Sequence, residues 1–151
     1  MATHEADVRQ ATAADLNLIV PLFDAYRQFY RQPSDPERAR HFLKERFERG
    51  ESVIFLAFDG ANAIGFIQLY PSFSSGAMAR IFVLNDLFVA PEARRRGVGS
   101  ALIQAAAQYG RNAGAIRLVL STEIANTTAQ SLYERMGWKR DTVFCVYQLA
   151  L

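Results

Sequence analysis

The 151-residue chain has few residues of the types that build disulfide or metal sites. Cys145 is the single cysteine, and the two histidines are His4 and His41. One cysteine excludes a disulfide within the chain. One cysteine and two isolated histidines are also too few to form a zinc site, so we expect no structural metal. A folded chain of this length buries roughly 70% of the surface of its unfolded form and can hold a core without crosslinks. We expect a single domain over residues 1–151.

Long apolar runs are also missing. No apolar run approaches the roughly 20 residues that are needed to cross a bilayer. Residues 1–10 are polar and lack the apolar core of a signal peptide. We therefore expect no membrane-spanning segment and a cytoplasmic location.

Lysine is scarce, since the 17 basic residues comprise 15 arginines and only Lys44 and Lys139. The net charge is +2 and the arginines are scattered, which does not indicate a nucleic-acid partner. The exception is the run of Arg94, Arg95 and Arg96, where three arginines stand together.

Apolar residues at spacings of three and four predict four helices. The first stripe runs from Leu16 to Tyr30, and a second helix follows and ends at Gly50. Two more helices are predicted for residues 97–114 and 126–136, each with one apolar face.

Apolar, β-rich runs between these helices predict strands at residues 8–11, 53–58, 63–70, 79–89, 116–121 and 138–149. The turn at residues 59–62 predicts an antiparallel hairpin, which is followed by a loop at residues 72–76. This order predicts an α/β (α+β) fold with one mixed β-sheet and helices on both faces. The last run is the segment through which we expect a homodimer to pair.

Asn85 and Asp86 interrupt the run at residues 79–89, which is otherwise apolar on both faces, as in a covered central strand. Polar side chains inside a buried strand cost free energy unless they are hydrogen-bonded or used in function. Asp86 is therefore a candidate functional carboxylate, and a hydrogen-bonded structural carboxylate is the alternative.

The turn that follows this strand has the composition of an anion site. A helix N-terminus carries about half a positive charge and unpaired N–H groups, so the three arginines are unfavourable there unless an anion lies among them. Gly97 and Gly99 let a ligand approach the backbone amides, which can bind phosphate oxygens. The segment predicts a diphosphate site, with a solvated loop as the alternative. It lacks the lysine of a P-loop and the third glycine of the dinucleotide fingerprint.

Arg94-x-x-Gly97-x-Gly99 after Asp86-Leu-Phe-Val resembles the acetyl-coenzyme A motif, R/Q-x-x-G-x-G/A, of the GNAT superfamily of N-acetyltransferases. The segment from Asn126 to Trp138, NTTAQSLYERMGW, is similar to the second signature of that family. Both motifs stand in the family's order and spacing, and the resemblance covers essentially the whole chain. It implies a GNAT-like fold with central strands that splay after Val89, and acetyl-coenzyme A as the acetyl donor.

The resemblance also implies which residues bind the donor. The strand end would bind the pantetheine arm through its backbone, the turn would grip the diphosphate, and the second signature would add further contacts. The residues implied are Leu87, Phe88, Val89, Arg94, Arg95, Arg96, Gly97, Val98, Gly99, Ser100, Asn126, Thr127, Thr128 and Tyr133.

Acetyl transfer to an amine requires a neutral amine, a stabilised oxyanion and a proton for the leaving thiolate. Alkyl ammonium groups titrate near about 10.4, so the acceptor must lose a proton to a carboxylate or a water chain. Asp86 is the first candidate base and Glu123 the alternative, while a backbone N–H at the end of the strand can stabilise the oxyanion. Tyr133 is similar to the family's general acid, with a core aromatic as the alternative. We expect direct transfer in a ternary complex, with Cys145 as a buried structural thiol.

The segments at residues 84–89 and 137–141 look like the branch that includes diamine acetyltransferases and fungal histone/polyamine acetyltransferases. We expect a small-molecule primary amine as acceptor, with a protein N-terminus or lysine second. The first two helices and the loop near residue 70 would form the acceptor site, and ordinary packing is the alternative for each residue there. The candidate residues are Tyr26, Tyr30, Tyr70, Phe73 and Glu123.

Two alternatives belong to another class: a non-catalytic acetyl-coenzyme A sensor and a dinucleotide-binding protein. The presence of Asp86, Asn126 and Tyr133 favours an enzyme over a sensor.

Overall fold

The structure is a computed structural model that describes residues 6–151. His4, one of the two histidines, lies outside these residues. The chain forms two compact units, of which one extends to Ser121 and the other is Thr122–Leu151. The first unit carries the sheet and three helices: β1 (Asp7–Gln10), α1 (Leu16–Phe29), α2 (Pro36–Glu48), β2 (Val53–Asp59), β3 (Asn62–Ser74), β4 (Ala79–Val89), α3 (Val98–Asn112) and β5 (Leu118–Val119). The second unit carries α4 (Thr127–Arg135).

The five strands form one mixed sheet in the order β1-β2-β3-β4-β5. The first four strands are antiparallel neighbours, whereas β5 runs parallel to β4. The parallel ladder consists of Phe82 with Leu118 and Val83 with Val119. Beyond Val83, the rest of β4 has no strand beside it on that edge among the described residues, so the sheet is open there.

Helices pack on both faces of this sheet, against side chains that alternate between the two faces along each strand. On one face, the Phe23 ring of α1 lies 5.9 Å from Phe42 of α2 and 6.2 Å from Phe66 of β3. On the other face, Tyr109 of α3 contacts Phe55 and Phe82 at 5.9 and 5.6 Å. The predicted mixed sheet with helices on both faces is confirmed.

Gly65 of β3 permits the close packing of α3 on this second face. A Cβ atom at this position would lie 3.0 Å from the Phe88 carbonyl oxygen and 3.4 Å from Val98 Cγ1. Since β4 and α3 both approach this point, the segment from the strand to the helix is held at a fixed distance from β3.

The predicted loop at residues 72–76 is wrong for its first three residues. Ser72, Phe73 and Ser74 continue β3 and pair with Ile81, Arg80 and Ala79 of β4. Polar residues are compatible with a strand where a long ribbon is partly exposed, so composition alone placed the turn too early.

The predicted strand or strands at residues 138–149 are also wrong, because the described chain forms no strand after α4. Apart from the partly buried Trp138, the large apolar side chains of this segment are exposed, and Cys145 is exposed rather than buried. A strand needs a neighbour for its N–H and C=O groups, and apolar composition does not supply one. Likewise, β5 spans two residues where six were predicted.

Candidate active site

A β-bulge lies at the polar interruption of β4. Gln68 of β3 pairs with Asp86 and the next residue, Leu69, pairs with Leu84, so that Asn85 is an extra residue without a partner in β3. Bulges of this kind bend a strand and re-aim its side chains, and they are frequent next to active sites. The bulge therefore explains how Asp86 comes to point into the layer between the sheet and α1.

Asp86 is a buried carboxylate held by amide donors. Asp86 is 2% exposed. Asn85 Nδ2 donates to Asp86 Oδ1 at 2.8 Å, and Gln68 Nε2 donates to Asp86 Oδ2. Burial raises the pKa of Asp86, and hydrogen bonds from Gln68, Asn85 and Tyr26 oppose this rise. A raised pKa makes a carboxylate a stronger proton acceptor, which suits a general base.

Tyr26 and Tyr70, two tyrosines of the predicted acceptor site, face this carboxylate. The Tyr26 hydroxyl donates to the Asn85 carbonyl at 3.2 Å, and its ring lies 5.0 Å from that of Tyr30. Burial raises the pKa of Tyr26 and of Tyr70, and the negative charge of Asp86 raises both further. Both phenols therefore stay protonated at neutral pH and can donate hydrogen bonds.

Phe73 is not brought together with these tyrosines. It stands three residues after Tyr70 on β3, so its side chain points to the opposite face of the sheet. Its ring is 68% exposed and lies 4.2 Å from the guanidinium carbon of Arg80.

The arginine-rich turn connects β4 to α3, as predicted, and two of its side chains have partners. Arg94 Nε donates to the Val89 carbonyl at 2.9 Å, and its guanidinium carbon lies 5.6 Å from the Phe88 ring centroid. Arg96 Nη1 lies 3.7 Å from Asp59 Oδ2, and both side chains are well exposed. Arg94 thus ties the turn to the end of β4 through its side chain.

The backbone of this turn enters α3 through the left-handed region. Arg95 has φ 65° and Gly97, the N-cap residue, has φ 76° without any side-chain capping bond. The first N–H groups of a helix have no acceptor within the helix, and Gly97 supplies none from a side chain. Backbone N–H groups of this kind can bind an anion, so the diphosphate site at this turn stays a prediction.

The second unit contains the remaining predicted residues on and before α4. Asn126 caps the helix, because its Oδ1 accepts from the Ala129 N–H at 3.1 Å, and Thr127 and Thr128 form the exposed first turn. Tyr133 is partly buried, and its ring lies 5.7 Å from that of Trp138. Glu123 precedes the helix, and its carbonyl accepts from the Asn126 N–H at 2.9 Å.

Sequence reasoning missed Gln68, although a signal was present. Gln68 is the one polar residue in the apolar run from Ala63 to Tyr70. The argument that singled out Asn85 and Asp86 applies to it equally. Asp59, the partner of Arg96, carried no such signal because it belongs to a polar turn.

Within residues 6–151, no helix is long and apolar enough to cross a membrane. The same part of the chain contains no group of three or more His, Cys, Asp or Glu side chains arranged to hold a metal ion.

Comparison with known proteins identifies the family. The model of the acetyltransferase (GNAT) family matches residues 19–138. An uncharacterized N-acetyltransferase of Bacillus subtilis, YhfO, is 51% identical over 143 residues, which cover 95% of this chain and 96% of that protein. A crystal structure of a probable acetyltransferase superposes with a TM-score of 0.91 at 45% identity and covers 96% of this chain and 97% of that one.

A more distant structure shows the same fold. An aminoglycoside N-acetyltransferase, AAC(6')-Iy, in complex with CoA is 21% identical, has a TM-score of 0.81 and covers 100% of both chains. The family match and the long alignments agree with the strand, turn and helix described above. The chain belongs to the GNAT family and is an N-acetyltransferase.

Proposed function

We propose that this protein transfers an acetyl group from acetyl-coenzyme A to the primary amine of a small molecule, directly and within a ternary complex. The observation that carries the proposal is Asp86, a buried carboxylate at a β-bulge with two phenols facing it. The same strand leads within eight residues to the arginine-rich turn, so a proton acceptor and an anion site share one continuous segment.

The residues of the turn have the chemistry to hold the donor. Its diphosphate would be bound by the backbone amides at the start of α3, with the charge of the arginines around them. The pantetheine arm would lie along the open edge of β4 at Leu87, Phe88 and Val89. The uncapped N-terminus at Gly97 supports this assignment, because a helix end without side-chain acceptors leaves its N–H groups for a ligand. Acetyl-coenzyme A, when bound, supplies an activated thioester.

The chain supplies proton transfer and charge stabilisation. In this proposal Asp86 takes the proton of the acceptor ammonium through a hydrogen-bonded group, because the carboxylate is buried. Tyr26 is our candidate for this group, since its hydroxyl donates to the carbonyl of the neighbouring Asn85. A backbone N–H near Phe88 and Val89 stabilises the oxyanion. Tyr133 donates a proton to the leaving thiolate, and Glu123 is the alternative base.

A small cationic amine is the acceptor that the environment of Asp86 favours. An ammonium group is attracted by a carboxylate and by the faces of aromatic rings, here Tyr26, Tyr30 and Tyr70. Diamines and polyamines have this chemistry, which agrees with the branch that the sequence resembles. A protein N-terminus or a lysine side chain is the second candidate, and a non-catalytic sensor is the third.

The test combines donor binding with an acceptor screen. We expect acetyl-coenzyme A, but not NAD, to raise the melting temperature. A panel of monoamines, diamines, polyamines and peptides is then assayed for free coenzyme A thiol, with mass spectrometry of the acetylated product. Donor binding without any turnover across the panel would indicate the sensor.

The exposed thiol of Cys145 requires a matched variant in this assay. Cys145→Ser removes the background reaction with thiol reagents, and we expect its turnover to equal that of the wild type. Loss of turnover in a folded Cys145→Ser protein would contradict direct transfer and indicate a covalent route.

The proposal includes a homodimer formed through the apolar segment after α4. It also includes a cytoplasmic location, because acetyl-coenzyme A is a metabolite of the cell interior.

A further inference from the structure

Gln68 is a buried amide with a polar neighbour and no solvent contact. It lies in β3 between Ile67 and Leu69, and all three residues are 0% exposed. A glutamine in such a position costs free energy unless its amide is used. Its Nε2 group donates to Asp86 Oδ2 across the β3–β4 pair, at the point where the register of the two strands shifts.

The other half of this amide has no partner. Gln68 Oε1 is buried and accepts no hydrogen bond from the described residues. An apolar side chain of similar length would pack at the same place without an unpaired oxygen, and buried unpaired groups of this kind are rare outside functional sites. The amide is therefore retained for its donor, which faces Asp86.

The surroundings of Asp86 give the Gln68 donor a large effect on the charge of the carboxylate. The groups that face the carboxylate are Asn85 on β4, Tyr26 on α1, and Tyr70 and Gln68 on β3. All are amides or phenols, and no salt bridge to Asp86 occurs within residues 6–151. Burial favours the neutral form of this carboxylate, whereas hydrogen bonds rather than an ion pair favour the charged form, and Gln68 is the strongest of them.

We propose that Gln68 is a positioning residue of the acetyl-transfer site, which acts through Asp86. Its Nε2–H group holds Oδ2 and keeps the carboxylate ionised at the bulge, so that Asp86 is ready to accept the proton of the amine. This inference rests on the proposed function, since it assumes that Asp86 is the base.

Two variants separate this role from simple packing. Gln68→Met keeps the length of the side chain and removes the donor, whereas Gln68→Glu places a second carboxyl opposite Asp86. Without the donor, the ionised form is less stable, so the pKa of Asp86 rises, on the order of one unit for a lost hydrogen bond to a charge. In Gln68→Glu the two carboxyls share a proton and we expect a larger rise.

The measurement is the titration of the Asp86 carboxyl by carbon-13 NMR, assigned with Asp86→Asn, together with the pH profile of kcat/KM. We expect the acidic limb of the profile to move to higher pH in step with the titration, with KM for acetyl-coenzyme A unchanged. Ser52→Ala is the matched control, because the Ser52 hydroxyl is the other buried side-chain group without a partner. We expect this control to leave both readouts as in the wild type.

The outcomes distinguish this inference from the proposed function. An unchanged Asp86 titration in folded Gln68→Met and Gln68→Glu proteins would overturn the role of Gln68, whatever the activity. A shifted titration with an unmoved pH profile would leave Gln68 as the partner of Asp86 but would remove Asp86 as the base. Wild-type protein without any turnover would contradict the proposed function, and the titration would still report on Gln68.

Discussion

Two buried aspartates in this protein use their carboxylates in different ways. Asp24 accepts from the Ser34 hydroxyl at 2.7 Å and from the Asp35 N–H at 2.8 Å, and so ties the segment before α2 to α1. Asp86 instead lies at a bulge and accepts from two side-chain amides. Two partners of Asp24 belong to the connection between α1 and α2 and a third, Gln28, to α1, whereas the two amides that donate to Asp86 lie on the strands that carry the proposed site.

Replacement of these two residues by asparagine separates activity from stability. Asp86→Asn removes the proposed base, and we expect kcat/KM to fall by roughly 10²–10⁴ while the protein stays folded. Asp24→Asn replaces a carboxylate that accepts several hydrogen bonds, and we expect a loss of about 1–3 kcal/mol in the free energy of unfolding with activity retained. Steady-state kinetics and denaturant unfolding of both variants are the measurements. A fully active Asp86→Asn protein would leave Glu123 or a water chain as the base.

The raised pKa of Asp86 predicts how stability depends on pH. Since the folded pKa lies above the unfolded value of about 3.9, the native state binds more protons than the unfolded chain between these two values. The free energy of unfolding therefore falls as the pH rises through that window and then levels off. We expect the free energy of unfolding of Asp86→Asn to fall less than that of the wild type over this pH range. Denaturant unfolding of both proteins at several pH values measures the difference. Equal pH dependence of the two proteins would refute the raised pKa.

Tyr133 is tested by removal of its hydroxyl alone. Tyr133→Phe keeps the ring that contacts Trp138, so we expect the variant to stay folded. If the phenol protonates the leaving thiolate, turnover falls by roughly 10²-fold or more at saturating substrates. Turnover equal to that of the wild type would show that the ring has a packing role only.

At the scale of elements, β4, the arginine-rich turn and α3 form the segment that carries most of the proposed site. The bulge places Asp86 on the face that α1 covers, and the Arg94 side chain returns to the Val89 carbonyl to close the turn. Gly97 then starts the helix in a left-handed conformation. Each step depends on backbone geometry, so changes of backbone freedom are the sharpest test.

Gly97→Ala probes this turn. A Cβ at this position meets no atom within 4 Å, so its effect comes from the left-handed backbone, which costs roughly 1–2 kcal/mol for a residue with a side chain. We expect a lower melting temperature and weaker binding of acetyl-coenzyme A, because the turn relieves the strain by moving its amides.

Gly76→Ala is the control for this variant, since Gly76 also has open space around it but no left-handed φ. We expect its stability and donor binding to match the wild type. Isothermal titration with acetyl-coenzyme A measures both variants. Identical affinity in Gly97→Ala would argue against a role for these amides in donor binding.

At the scale of the whole molecule, the segment after α4 leaves apolar surface uncovered. Val143, Phe144, Val146, Tyr147 and Leu149 are between 78% and 93% exposed. Exposed apolar side chains that stand this close together in the chain are typical of an interaction site. Apolar residues stand at both odd and even positions of this segment, which is typical of a strand that is covered on both faces.

The homodimer is therefore testable at this segment. We expect sedimentation to give the mass of two chains for the wild type and of one chain for Phe144→Ser combined with Val146→Ser. Met78→Ser is the control, because Met78 is 90% exposed but lies in the turn between β3 and β4. A monomeric wild type at micromolar concentration would contradict the homodimer without affecting the proposed chemistry.

Much of this fold could be predicted because its signals are local. The stripe from Leu16 to Tyr30, the hairpin turn at residues 59–62 and the cap at Asn126 each depend on residues a few positions apart. The signals of the arginine-rich turn are equally local, since the strand end, the arginines and the glycines stand within one short segment. The polar interruption at Asp86 could be seen for the same reason.

The partners of these residues could not be predicted. That Gln68 faces Asp86 depends on the register of β3 against β4 and on the one-residue bulge at Asn85. That Phe73 points away from Tyr70 depends on β3 continuing to Ser74 instead of ending near residue 71. The missing strand after α4 has the same origin, because pairing is a property of two segments and not of one.

The amino-acid sequence by itself determined which residues the proposed chemistry can use: a carboxylate in an apolar strand, an arginine-rich turn with two spaced glycines, and a tyrosine in the last helix. These features consist of residue types at short spacings, which can be seen in the sequence without a structure. Only the tertiary structure decided which groups surround Asp86 and set its pKa, which face each aromatic ring occupies, and which apolar side chains stay exposed. Register, bulges and burial arise between segments distant in the chain, so they exist only once the chain has folded.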